Sequence, residues 1–212
     1  MAKCRNLKEA NFSNIFISRL KEEIPISLKL MMDAIEDKHI THLDLSHNAF
    51  GPQGIESFEQ FLSRANHLEN LDVSNCGLSP KGGEMIAAAI LKNEHMKLKE
   101  FAGTRSRLEE EGLTALADVF RKQKSIEKLD LTQNGSKRGL APLLGSLIEC
   151  KSTLRELYIS DNKSINRAIP ELVACIKECT ALTHLNISDL NIKRKHISQV
   201  ADALLVASSH NL

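Results

Sequence analysis

Apolar and polar positions recur along this chain in one frame. In ITHLDLSHNAF, residues 40–50, apolar side chains stand at offsets 0, 3, 5 and 10 (Ile40, Leu43, Leu45, Phe50), and Asn48 stands at offset 8. The frame starts again at Leu68, Leu98, Ile126, Leu154 and Leu182, in steps of 28, 30, 28, 28 and 28 residues. A single match is weak, but chance does not hold a period. Offsets 3 and 5 alternate, which predicts a short strand with two apolar side chains on one face. Offset 8 holds Asn48, Cys76, Ser106, Asn134 and Asn162. A short polar side chain there can satisfy backbone groups where the chain leaves the strand. The spacing then turns helical, as in Ile55, Phe58, Phe61, Leu62, in Leu113, Leu116, Val119, Phe120, and in Ile169, Leu172, Val173, Ile176.

Each unit therefore reads as strand, loop, helix, loop, which is the leucine-rich repeat pattern. No unit can bury its apolar face alone, so the repeats must stack. Strands stack more closely than helices, which forces curvature with the strands on the concave side. The predicted fold is α/β: a leucine-rich repeat solenoid, a right-handed horseshoe of about seven repeats of ~28 residues. Residues 1–212 are expected to form one domain. A further repeat opens the series at Leu7, Ala10 and Phe12, with the next frame 33 residues on. Its extra residues are FISRLKEEIP, 16–25, ahead of a helix with Pro25 in its first turn. An enlarged strand-to-helix loop in a regular solenoid is a candidate functional insertion, and this one carries Arg19 and Lys21. Neither end reads as a cap. The expectation is a fragment, a short natural chain, or ends covered by another chain.

Composition narrows the function. A net charge of +1 gives no electrostatic case for nucleic acid. Without Trp, and with Tyr158 the one Tyr, base-stacking platforms are not indicated. No apolar run approaches a membrane span, and the opening MAKCRNLKEANF has no signal-peptide core. Five cysteines (4, 76, 150, 175, 179) form no paired framework, which suits a reducing compartment, cytosol or nucleus. Cys175 and Cys179 lie four apart on a predicted helix, and packing explains them better than metal.

Offset 7 should point outward at the mouth of the strand-to-helix loops. Down the solenoid it reads Asn14, His47, Asn75, Arg105, Gln133, Asp161 and Asp189, all polar. A solvated rim is polar anyway, so the row alone proves nothing. The frame assembles no Ser–His–Asp or Cys–His nucleophile, no phosphate-binding loop and no metal-ligand spacing. The histidines are scattered, and a surface position is their default.

Specific strings carry a resemblance that the repeat does not require. FISRLKEEIPISL looks like the F-x-G-R-[LV]-[KR]-x-E-I-P-x-A-L segment of the Ran GTPase-activating proteins. LDLSHNAFGPQG is similar to that family's LDLSDNAFGP, and LDVSNCGLSPKGG to its L-x-L-x-N-[NC]-G-[LM] segment with the following turn. FAGTRSRLEEEGLTALADVF resembles its A-G-R-N-R-L-E-N-x-G segment and the helix beyond, and LTQNG matches its QNG. The likeness is strong from about Leu7 to Asn134 and weak to the end.

The resemblance implies a protein that binds Ran-GTP through the loop rim and stimulates hydrolysis, with the chemistry residing in the partner. It implies no arginine finger. Ran's own glutamine is held against the attacking water by a rim asparagine, which Asn75 matches. This is catalysis by positioning. The family's important first-loop arginine matches Arg19, as a contact that binds or orients Ran, with Lys21 beside it. Arg105, Arg107 and Asp161 match charged positions on the Ran-facing rim. No cofactor of its own is implied, since GTP and Mg²⁺ belong to the partner. The implied setting is nucleocytoplasmic transport, in the cytoplasm and at its nuclear periphery.

Departures bear on these roles. Ser106 replaces the offset-8 asparagine of the A-G-R-N-R-L-E segment and Thr104 its glycine, so that loop is expected to loosen. The family's additional repeats and acidic tail do not occur in these 212 residues, so activity is expected to survive while affinity or location changes. An alternative of another class stays open: a scaffold that binds a partner on its concave face, where Asp44, Asp72 and Asp130 occupy offset 4, without affecting catalysis.

Overall fold

The computed structural model describes residues 6–16, 19–20, 22–135, 138–162 and 165–208. Seven three-residue strands form one parallel sheet in chain order: β1 (Glu9–Asn11), β2 (His42–Asp44), β3 (Asn70–Asp72), β4 (Glu100–Ala102), β5 (Lys128–Asp130), β6 (Glu156–Tyr158) and β7 (His184–Asn186). The register follows the repeat frame without slippage: Ala10, Leu43, Leu71, Phe101, Leu129, Leu157 and Leu185 lie opposite one another in turn. A one-residue slip would turn this column from the core to the concave surface, so burial fixes the register.

Helices pack behind the sheet: α1 (Glu23–Ile35), α2 (Gly51–Glu56), α3 (Glu59–Arg64), α4 (Ser79–Lys92), α5 (Glu109–Gln123), α6 (Leu140–Leu147), α7 (Ile169–Glu178) and α8 (Arg194–Ser208). Pro25 falls in the first turn of α1, where its missing N–H costs no intrahelical bond. Glu109, Glu110 and Glu111 occupy the first turn of α5, which the helix dipole favours. The closest helix pair depends on glycine. A Cβ on Gly83 of α4 would stand 2.7 Å from the Cα of Gly112 in α5, nearer than any side chain tolerates.

The second repeat departs from the pattern. Ile55, Phe58, Phe61 and Leu62 predict one helix, yet the chain breaks between α2 and α3, and Phe58 leaves the helical region at φ −128°, ψ 7°. The break still buries Phe58 completely and sets it edge-on to Phe50, ring centroids 5.6 Å apart. Core packing overrides helix continuity there.

The offset-8 side chains form a buried ladder. Asn134 accepts from the N–H groups of Ser106 (3.3 Å) and Leu108 (3.2 Å) and donates to the carbonyls of Gly103 (2.9 Å) and Leu131 (3.0 Å). Asn48 and Asn162 bond in the same way. Ser106 keeps the donor half: its hydroxyl donates to the Val73 carbonyl at 2.8 Å, while its own N–H is held by Asn134. The loop expected to loosen therefore stays tied to both neighbours. The two end repeats carry apolar residues instead, Ile15 and Leu190, the first exposed and the second buried. The end helices expose Ile26 and Leu30 on α1, beside Gln53 and Glu56 of α2, and Ile197, Leu205 and Val206 on α8.

Candidate functional site

The rim is built by a repeated backbone device. At offset 7, Asn14, His47, Asn75, Arg105, Gln133, Asp161 and Asp189 all have positive φ, from 50° to 60°. The N–H of each of the first six donates to the offset-6 carbonyl of the next repeat, as in Asn75 to Thr104 at 2.7 Å and Arg105 to Thr132 at 3.0 Å. The sheet ladder thus runs on past the strands, and the left-handed turn swings each side chain out of it. The conformation is unfavourable for side chains other than glycine by about 1–2 kcal/mol, least so for Asn, Asp and His. Positive φ recurs at offset 9, at Ala49, Gly77, Arg107, Gly135 and Asn191.

Neighbouring side chains on this rim pair. Asn75 Nδ2 lies 3.1 Å from His47 Nδ1 across one repeat step. Arg105 Nε donates to Gln133 Oε1 across another. Between them lies a depression of about 540 Å³ lined by Ala49, Asn75, Gly77, Arg105, Arg107 and Gln133. The fold therefore brings together three of the residues singled out in the sequence: Asn75, Arg105 and Arg107. Arg19 is exposed in the first loop, 4.0 Å from Glu23, and does not line the depression. Asp161 sits exposed two repeat steps beyond Arg105 on the same row. Lys21 lies outside the described residues.

The concave face holds a second depression, about 410 Å³, whose lining includes Asp44, Asp72 and Asp130. These aspartates already close the turn toward the rim. Each accepts the N–H two residues on: Ser46 at 2.9 Å, Ser74 at 2.8 Å and Thr132 at 3.0 Å. Burial raises the Asp72 carboxyl above its ordinary value, against the hydrogen bonds from Ser74.

Two of the buried thiols, Cys76 and Cys150, offer no nucleophile. Burial pushes Cys76 up to about 12 and Cys150 up to about 11, so both stay protonated at neutral pH. The sulfurs of Cys175 and Cys179 pack 3.7 Å apart in the core. No group of three or more metal-ligating side chains occurs among the described residues, and no helix among them is long and apolar enough to cross a membrane. The frame had placed the offset-7 row but not its pairing. His47 and Gln133 were visible only as polar rim positions, although equal offsets in adjacent repeats already implied neighbours.

Known proteins resemble this chain in sequence. The family model for Leucine Rich repeat matches residues 36–58 and 64–87, the second and third repeats. Ran GTPase-activating protein 1 of Xenopus laevis is 35% identical over 142 residues, 61% of this chain and 24% of that protein. Ran GTPase-activating protein 2 of Caenorhabditis elegans is 34% identical over 142 residues, 62% of this chain and 15% of that protein. Ran GTPase-activating protein 1 of Saccharomyces cerevisiae is 29% identical over 199 residues, 89% of this chain and 49% of that protein. The chain thus spans half or less of the length of these curated relatives. Repeat architecture and the matched repeats make the fold a leucine-rich repeat solenoid, and over the aligned residues the chain is similar to Ran GTPase-activating proteins.

Proposed function

We propose that this chain is a GTPase activator that docks a Ran-type GTPase on its loop rim and speeds GTP hydrolysis by holding the partner's catalytic glutamine. One observation carries the reading. An exposed amide, Asn75, projects from a backbone pinned to the next repeat, beside the cations Arg105 and Arg107 in one depression. A glutamine side chain is mobile, and an amide on a fixed backbone can restrict it and align it with water. That lowers the orientational part of the barrier without supplying charge or a nucleophile. Hydrolysis itself belongs to the partner, with its GTP and Mg²⁺; the chain brings no cofactor. Arg19 acts as a contact from the first loop, with Lys21, and Arg105, Arg107 and Asp161 complete the docking edge. The protein works in the cytoplasm and at the nuclear periphery.

The test is single-turnover GTP hydrolysis by Ran at saturating chain, beside a direct binding titration. Asn75→Gly should keep binding and lose most of the stimulated rate, because the amide acts only while glutamine and water are being aligned. Glycine is the right replacement, since it accepts a φ of 53° without strain. Arg19→Ala should weaken binding and rate together. If Asn75→Gly turns over like the parent, the asparagine role is wrong. If the parent neither binds nor stimulates, the concave scaffold takes over, with Asp44, Asp72 and Asp130 lining its depression.

A further inference from the structure

Asn75 does not stand free on the rim, because its amide is held by His47. Nδ2 of an amide has hydrogens and no lone pair, so in this 3.1 Å contact it donates and His47 Nδ1 accepts. Asn75 Oδ1, the acceptor end, is turned away from the ring, and no hydrogen bond among the described residues ends on it. Both backbones are pinned, His47 N–H to Ser74 at 2.8 Å and Asn75 N–H to Thr104 at 2.7 Å. With the backbones fixed, the Asn75 side chain keeps its χ1 rotation and the rotation that exchanges the amide's two ends, and the imidazole contacts that amide.

We propose that His47 is a positioning residue for Asn75: neutral, it holds the amide with Oδ1 outward to accept from a partner N–H, and protonated, it reverses the amide. The outward acceptor is the polarity needed to hold an NH₂ group, such as that of a glutamine. A protonated ring has a hydrogen on Nδ1 and draws in Oδ1, leaving Nδ2 outward with nothing to accept with. Acidification then turns the rim amide from acceptor to donor without altering the fold. Ionisable groups stand near the contact. The Asp72 carboxylate of β3 interacts with it electrostatically, and Asp44 of β2 interacts with Asp72. The Cys76 thiol stays neutral. Arg105 follows one step beyond Asn75 on the row. The effect on hydrolysis rests on the activator reading above; the amide's orientation does not.

His47→Asn is the discriminating variant. Asparagine tolerates the left-handed φ of 60°, places a carbonyl oxygen where Nδ1 stood, and does not titrate. In ¹⁵N-labelled protein, the Asn75 side-chain amide is assigned by its loss in Asn75→Gly and followed from about pH 8 to about pH 5.5 across the usual imidazole range. In the parent, its resonances should move with the same inflection as the His47 ring signals, and in His47→Asn they should stay still. Resonances that ignore the His47 titration, or that move equally in the variant, overturn the proposal. In hydrolysis assays, corrected for the GTPase's own pH dependence, the parent's stimulated rate should drop about 2- to 10-fold across that range, the effect of one hydrogen bond, while His47→Asn stays flat. Equal pH profiles for the two overturn the catalytic part. No stimulation at any pH removes the activator reading alone, and the amide titration then decides the His47 proposal.

Discussion

Two rows of side chains run along the loop edge, one residue apart in every repeat, with opposite fates. At offset 8, Asn134 is buried and uses both ends of its amide, two contacts in and three out. At offset 7, Asn75 is exposed and uses one end, on His47. The same residue type therefore serves as a structural tie in one row and as an open acceptor in the other. Burial removes alternatives, so a buried amide must be fully paired. The rim keeps hydrogen-bonding capacity that the fold leaves unused.

The contrast can be broken hardest from the inside. Leu129→Ala, fully buried between Phe101 and Leu157, should destabilise by about 2–5 kcal/mol in urea unfolding and make unfolding less cooperative. A loss under about 1 kcal/mol would mean that this column does not couple the repeats. Asn134→Ala should cost about 2–4 kcal/mol, because two N–H groups and three carbonyls lose a partner at once. A cost near that of a rim substitution would erase the distinction between the rows.

The rim should respond far less. Position alone suggests that Asn75→Ala leaves folding untouched, but the φ of 53° changes this. Alanine there should cost about 0.5–1 kcal/mol and glycine less, an order that an ordinary exposed site would reverse. Smallest of all is Asp72→Asn. A carboxyl raised by burial favours folding at low pH and loses that contribution as pH rises through its folded value. The amide keeps an acceptor for the Ser74 N–H and cannot ionise. The variant's Tm should therefore gain on the parent between about pH 3 and pH 7, the span across which a carboxyl ionises; a constant difference would place Asp72 in water.

Most of the fold was legible because burial is periodic. Leu43, Leu71, Leu129 and Leu157 announce a column whatever lies between them, and the register follows. The break at Phe58 was not legible, since Ile55, Phe58 and Phe61 keep helical spacing through it, and only the packing against Phe50 shows why the backbone leaves the helix. On the rim, the frame placed Asn75 and Arg105 in one row, the family resemblance singled them out together with Arg107, and the fold gathers all three in one depression. The left-handed turns could not be read, because Arg105 and Gln133 are not residues that advertise positive φ. His47 was hidden differently: 28 residues separate it from Asn75, and its role exists only as a tautomer and a contact.

The unbroken register of the sheet also makes the loop edge a ruler. Parallel strands repeat at about 4.8 Å, so side chains on the rim stand at whole graduations of that length. From Asn75, Arg105 is one mark away and Asp161 three, or about 14 Å at that spacing. Any surface that meets several of them must present its own groups at matching intervals. Gain or loss of one repeat would slide every later mark by a single graduation and leave its chemistry intact. Change along this edge therefore comes in integers.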